Sequence, residues 1–143
     1  MKLKPNYHIH RVIADFAPRH VGRPRVLISG RKADRKAISS LGVCPWAVVA
    51  MPDVIIHDLE CDALFLIDVS TRQRHMTEAR RSELNKHFAS SGRHLIFFST
   101  FPDHRSFCRC LESIAWETHV WIAATPDHMI HFNGQRFLGP YPH

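Results

Sequence analysis

Pro52-Asp-Val-Ile-Ile-His-Asp-Leu-Glu-Cys-Asp-Ala-Leu-Phe-Leu-Ile-Asp-Val-Ser-Thr71 is the stretch on which the fold turns. Pro52–Asp58 reads as a strand, with β-branched Val54, Ile55 and Ile56 in a row. Leu59–Asp62 reads as a polar turn and Ala63–Thr71 as the next strand, so 53–71 is expected to be a hairpin. Near-continuous apolar content in both runs predicts strands covered on both faces. A hairpin pairing about Leu59–Asp62 sets Asp53 opposite Asp68 across the ladder. Two such carboxylates repel and both stay ionised only when a cation joins them. Mg²⁺ suits that pair, because it takes oxygen ligands and keeps waters that a phosphate can replace. The plain alternative is that Asp53 caps a turn and Asp68 makes a local hydrogen bond.

Outward from the hairpin, strand and helix signals alternate. Arg25–Gly30 reads as a short strand ended by glycine. Lys32–Leu41 reads as a helix stopped by Gly42, and Arg31, Lys32, Arg35 and Lys36 make its surroundings basic. Thr77 is an N-cap for a helix running to about Ser90, with Gly92 as its stop. Arg93–Thr100 is a buried strand, Pro102 and Asp103 open a helix to about Ala115, and Val120–Ala124 and Met129–Phe132 are two more strands. Asn133-Gly134 signals a tight turn. The expected architecture is a single α/β domain over 25–143, with a mixed central sheet flanked by helices. Residues 1–24 read as an N-terminal lead-in carrying a short apolar piece at Ile9–Phe16.

The 143 residues are 45% hydrophobic and 22% charged, which excludes collagen-like, mucin-like and disordered acidic chains. No apolar run approaches a membrane span, and Met1–Asn6 lacks a signal-peptide core, so a cytoplasmic protein without a membrane partner is expected. Residues 1–50 hold ten Lys/Arg against two Asp/Glu, or +8, whereas 51–143 hold nine against eleven, or −2. A basic front suits an anionic partner such as nucleic acid, or is a solvated basic face. Cys44, Cys61, Cys108 and Cys110 contain no C-x-x-C. His104, Cys108 and Cys110 can still be drawn into a zinc site. His128 and His131 point to opposite faces of a strand, which argues against joint ligation. Glu117 reads as a buried carboxylate orienting the last strands, and Trp116 and Trp121 as core or interface residues.

Two opposed carboxylates with a lysine two residues beyond the second describe the PD-(D/E)XK nuclease core; here Ser70 stands in the lysine place. Ile114-Ala-Trp-Glu-Thr-His-Val-Trp-Ile122, Pro126-Asp-His-Met-Ile-His-Phe-Asn-Gly134 and Arg136-Phe-Leu-Gly-Pro-Tyr141 resemble the C-terminal end of the BsuBI/PstI-type restriction endonucleases. Phe101-Pro-Asp103, the 52–71 hairpin and Arg80-Arg-Ser-Glu-Leu84 fit the same family in order, so the resemblance covers 25–141. It implies a PD-(D/E)XK-type domain that cuts duplex DNA at a palindromic site with Mg²⁺, or Mn²⁺ in its place, and acts as a homodimer. Family members are about twice this length, so the chain looks like their catalytic domain standing alone.

Carried over residue by residue, Pro52, Asp53 and Thr71 match the family's pattern. Asp68 stands where Glu is usual, Gly30-Arg-Lys32 where Gly-Asp-Thr is usual, and Ala79 where Lys is frequent. The implied catalytic group is Asp53, Asp68, Ser70 and Arg80, with Asp53 and Asp68 as metal ligands. Arg31, Lys32, Arg35, Lys36, Arg72 and Arg74 are the DNA-binding candidates; Arg72, Arg74 and Arg80, and more remotely Lys32 and Lys36, also compete for the lysine's role. Because the lysine is absent, two alternatives stand beside an active nuclease. One is a catalytically eroded domain that binds DNA or a protein. The other is one subunit of a split enzyme whose separately encoded partner supplies recognition.

Overall fold

The structure, a computed structural model, describes residues 5–45, 51–70 and 74–134. Seven strands form one sheet: β1 (Pro24–Ser29), β2 (Lys32–Ala33), β3 (Val54–Asp58), β4 (Ala63–Val69), β5 (His94–Phe101), β6 (Thr118–Ile122) and β7 (Met129–Phe132). Their spatial order is β2-β1-β3-β4-β5-β6-β7. The expected hairpin is β3 and β4, antiparallel, with Asp58 opposite Ala63 and Val54 opposite Ile67. Every residue of both strands is buried, because helices cover the sheet on each face, as the continuous apolar runs require.

From β4 the sheet continues in parallel through β5 and β6. Parallel neighbours need a crossover, and two helices supply it: α4 (Glu78–Phe88) between β4 and β5, and α5 (His104–Cys110) between β5 and β6. Thr77 caps α4 by accepting from the Arg80 N–H at 3.2 Å. Asp103 caps α5 through the Ser106 N–H at 2.8 Å. The expected helix to Ala115 stops earlier: Leu111–Ser113 is a 3₁₀ turn and Ile114 is already extended at φ −67°, ψ 130°.

The expected helix start at Lys32 is corrected. Lys32 does not open a helix. Gly30 turns the chain at φ +62°, Lys32 and Ala33 pair back on β1, and α3 begins only at Arg35 (Arg35–Ser40). The Asp34 carboxylate dictates that start by accepting from the Ala37 N–H at 3.0 Å. Within the expected lead-in, residues 5–20 are helical: α1 (Pro5–Arg11), a π-helical turn (Val12–Phe16) and α2 (Ala17–His20). Ile9, Val12, Ile13, Phe16 and Ala17 recur at helical spacing and pack against Phe65, Phe98 and Trp121. The Phe16 ring meets the Phe98 and Trp121 rings edge-on at 4.9 and 5.6 Å.

Asp58 ties the front of the chain to the hairpin. Its carboxylate, 5% exposed, accepts from the N–H groups of Gly22, Arg23 and Glu60 at 3.2, 3.1 and 2.9 Å, and from the Cys61 thiol. Burial pushes its pKa up, but these donors outweigh it and hold the group at about 2. A depressed carboxylate stabilises the fold above its unfolded value of 3.8 and loses that contribution as pH falls toward about 2. Asp58→Asn is therefore expected to lower stability near neutral pH by about 1–3 kcal/mol. Thermal melts between pH 7 and pH 2 should show the gap to the parent closing below pH 4.

Candidate active site

The register that pairs Val54 with Ile67 continues one step outward to set Asp53 against Asp68. Three strand ends are knotted there. The Asp53 carbonyl accepts from the Gly30 N–H at 2.8 Å, and its carboxylate Oδ2 accepts from the Val69 N–H at 2.8 Å. Pro52 is buried immediately before it. The carboxylates thus lie at the C-terminal end of β4, the usual ligand edge of a sheet with parallel strands.

Asp68 is fully buried, and its charge is met by Arg80 from the first turn of α4. The guanidinium donates from Nε to Oδ2 at 2.8 Å and from Nη2 to Oδ1 at 3.1 Å, a bidentate pair. A second guanidinium, Arg74, touches both acids: Nη1 lies 3.6 Å from Asp53 Oδ1 and Nη2 lies 3.5 Å from Asp68 Oδ1. The same Nη2 donates to the Met51 carbonyl at 2.7 Å. Burial raises the Asp53 pKa and the neighbouring Asp68 charge adds to the rise, against the Val69 N–H and the cation of Arg74. Burial works against the Arg80 cation, but the Asp68 carboxylate more than compensates and its pKa is raised.

Of the residues expected at the site, Asp53, Asp68, Arg74 and Arg80 are brought together. Ser70 is adjacent in sequence but differently used: its N–H bonds the Thr100 carbonyl of β5 at 2.8 Å, and its hydroxyl lies 3.4 Å from the Asp68 carbonyl oxygen. Arg31 and Arg35 line an open cleft of about 670 Å³ together with Met51, Pro52, Asp53 and Arg74. Lys32 instead borders a separate depression with Ser29 and Asp34, and Lys36 is exposed on α3. Arg72 and Thr71 lie outside the described residues. Arg74, a DNA-binding candidate by sequence, is instead engaged by the Met51 carbonyl, a main-chain acceptor that no side-chain pattern marks.

The remaining candidates separate from this site. Among the described residues no group of three His, Cys, Asp or Glu is placed to hold a metal, so His104, Cys108 and Cys110 do not form a zinc site. His131 faces His119 across β6 and β7, with Nδ1 to Nδ1 at 2.7 Å. Glu117 is exposed, not buried; it sits in the left-handed region at φ +63°, and its main-chain N–H bonds Phe132. Trp121 is core, whereas Trp116 is 65% exposed.

Asp53 Oδ1, Asp68 Oδ1 and the Met51 carbonyl converge on one cationic group, beside an open basic cleft. Such an all-oxygen, doubly anionic set fits a hard divalent cation. The model of the BsuBI/PstI restriction endonuclease domain matches residues 3–135. The type II restriction enzyme BsuBI of Bacillus subtilis is 38% identical over 139 residues, 93% of this chain and 44% of that protein. The type II restriction enzyme AplI of Arthrospira platensis is 32% identical over 87 residues, 61% of this chain and 27% of that protein. The structure of SdaI restriction endonuclease superposes with a TM-score of 0.85 and 31% identity, covering 99% of this chain and 46% of that one. The expected α/β architecture, a mixed sheet with flanking helices, is thereby borne out. The chain spans less than half the length of each of these relatives. No helix among the described residues is long and apolar enough to cross a membrane.

Proposed function

The chain belongs to the BsuBI/PstI restriction endonuclease family, and we propose that it is a PD-(D/E)XK-like catalytic domain hydrolysing phosphodiester bonds of duplex DNA with a divalent cation. The observation that carries this reading is the opposition of Asp53 and Asp68 at the edge of a cleft lined by Arg31 and Arg35. Asp53 and Asp68 would hold the ion, Mg²⁺ with Mn²⁺ as a substitute. When bound, such an ion makes a coordinated water a nucleophile at neutral pH and offsets the charge on the scissile phosphate.

The chain's own groups supply the rest. The Val69 N–H fixes the orientation of the Asp53 carboxylate. Arg80 donates to both oxygens of the buried Asp68 carboxylate and fixes its orientation. A guanidinium stays protonated throughout, so Arg80 stabilises charge and moves no proton, unlike the lysine that Ser70 replaces. Arg31 and Arg35 meet the phosphate backbone on the cleft wall, with Lys32 and Lys36 extending the basic edge. A palindromic site presents two symmetry-related phosphates, which supports action as a homodimer; light scattering of the purified chain measures that state.

A second reading, a domain that binds DNA without cutting, is favoured by the pairing of both Asp68 oxygens with Arg80. One assay separates the two. Supercoiled plasmid is incubated with the protein and Mg²⁺ or Mn²⁺, beside an Asp53→Ala/Asp68→Ala variant and an EDTA control. Metal-dependent cutting by the parent alone supports the nuclease. No cutting by either, with salt-sensitive DNA retention intact, establishes the binding domain. If a separately encoded chain supplies recognition, the parent's cutting shows no sequence preference.

Binding itself carries an independent expectation. Each phosphate contact contributes about one unit to the slope of log affinity against log salt. Arg31→Ala and Arg35→Ala are each expected to reduce that slope by about 1, measured by fluorescence anisotropy on a short duplex over a salt series.

A further inference from the structure

We propose that the Arg74 guanidinium fills the cation position between Asp53 and Asp68, and that a divalent metal ion enters only by displacing it. Arg74 is then a built-in competitor for the metal. This rests on the divalent-cation reading of the same two carboxylates.

Three oxygens define the position, and Arg74 engages all three with its two terminal nitrogens: Met51 O at 2.7 Å, Asp68 Oδ1 at 3.5 Å and Asp53 Oδ1 at 3.6 Å. A small divalent ion needs these oxygens at about 2.1–2.2 Å, so it and a guanidinium cannot share them. The two arginines differ in how firmly they are held. Arg80 is 12% exposed, anchored in α4 and bonded to both Asp68 oxygens at hydrogen-bonding distance. Arg74 is 39% exposed, reaches the carboxylates only at ion-pair distance, and lines the open cleft. Arg80 is therefore the resident partner of Asp68 and Arg74 the exchangeable one.

The exchange has a direction useful to the reaction. Two carboxylates this close need a positive neighbour in the metal-free protein, and Arg74 provides it. The Arg74 side chain already lines the cleft wall that carries Arg31 and Arg35. Its charge, no longer engaged by the two carboxylates once metal enters, is then available to the phosphates. The price is apparent metal affinity, which falls in proportion to the fraction of molecules whose site is free of the guanidinium.

The test is calorimetric titration of the metal-free chain with Mn²⁺ alone, without DNA, for the parent, Arg74→Gln and Asp53→Asn. If Arg74 fills the site about nine-tenths of the time, Arg74→Gln tightens Mn²⁺ binding roughly tenfold, and Asp53→Asn loses it. Equal or weaker binding by Arg74→Gln, with the parent still binding, overturns the competition while leaving the metal reading intact. An absence of Mn²⁺ binding in both parent and Arg74→Gln overturns both. Arg74→Lys keeps the charge without the fork that spans three oxygens, and is expected to bind between parent and Arg74→Gln. Should Arg74→Gln not fold, identical affinities of parent and Arg74→Lys overturn the proposal.

Discussion

Asp53→Asn is expected to lower the rate of DNA cleavage by roughly a thousandfold or more, while the melting temperature stays at or above the parent's. The kinetic part follows, on the proposed divalent-cation reading, from losing one of the two carboxylates that would hold the ion. Metal-assisted stabilisation of a developing phosphate charge is worth several kcal/mol, and about 4 kcal/mol corresponds to a factor of about 10³. Asparagine has the same shape, so its side-chain oxygen can still accept from the Val69 N–H. The stability part follows from the sign of the pKa shift. Burial first, and then Asp68, push Asp53 above its ordinary value, so the native fold takes up the proton more readily than the unfolded chain. The ionised form is therefore a cost to the fold above that pKa, and the cost fades as pH falls through it. A neutral isostere removes it. Single-turnover cleavage paired with a thermal melt checks both halves; a large loss of stability in Asp53→Asn would show that the charge is structural rather than held in readiness for a cation.

The opposite pattern is expected at Arg80. Its side chain is 12% exposed and its partner Asp68 is not exposed at all. Removing one member of a buried ion pair leaves an uncompensated charge and costs about 3–5 kcal/mol. Arg80→Met, which keeps length and loses charge, should therefore lower the melting temperature by about 10 °C or more at neutral pH. An Asp68→Asn/Arg80→Met pair should recover much of that loss, because neither residue then carries a buried charge. Stability is the informative readout. Denaturant titration of the two single variants and the double variant measures the coupling. Additive losses would mean that Arg80 acts on the fold through packing alone.

These two expectations rest on parts of the chain that differ in how readable they are. The opposition of Asp53 and Asp68 is a matter of register. A polar turn at 59–62 between two apolar runs leaves one pairing that keeps the apolar residues buried. The Thr77 and Asp103 caps are equally local. Residues 5–20 carried a readable signal as well, the spacing of Ile9, Val12, Ile13, Phe16 and Ala17, but their prolines and histidines masked it. The short β2 was not readable from a helix-like composition around Lys32, because its formation depends on the turn at Gly30 and an available edge on β1.

Periodicity, turn chemistry and caps are interactions between near neighbours along the chain, and they determined the strands, most helix starts and the pair of acids. What faces those acids was decided by tertiary structure. Arg80 reaches Asp68 because the crossover from β4 to β5 folds α4 back over the strand end. Arg74 reaches the Met51 carbonyl across 23 residues of chain. Long, flexible cationic side chains have no preferred partner in sequence; the packing of helix on sheet selects one by making a buried carboxylate intolerable without it.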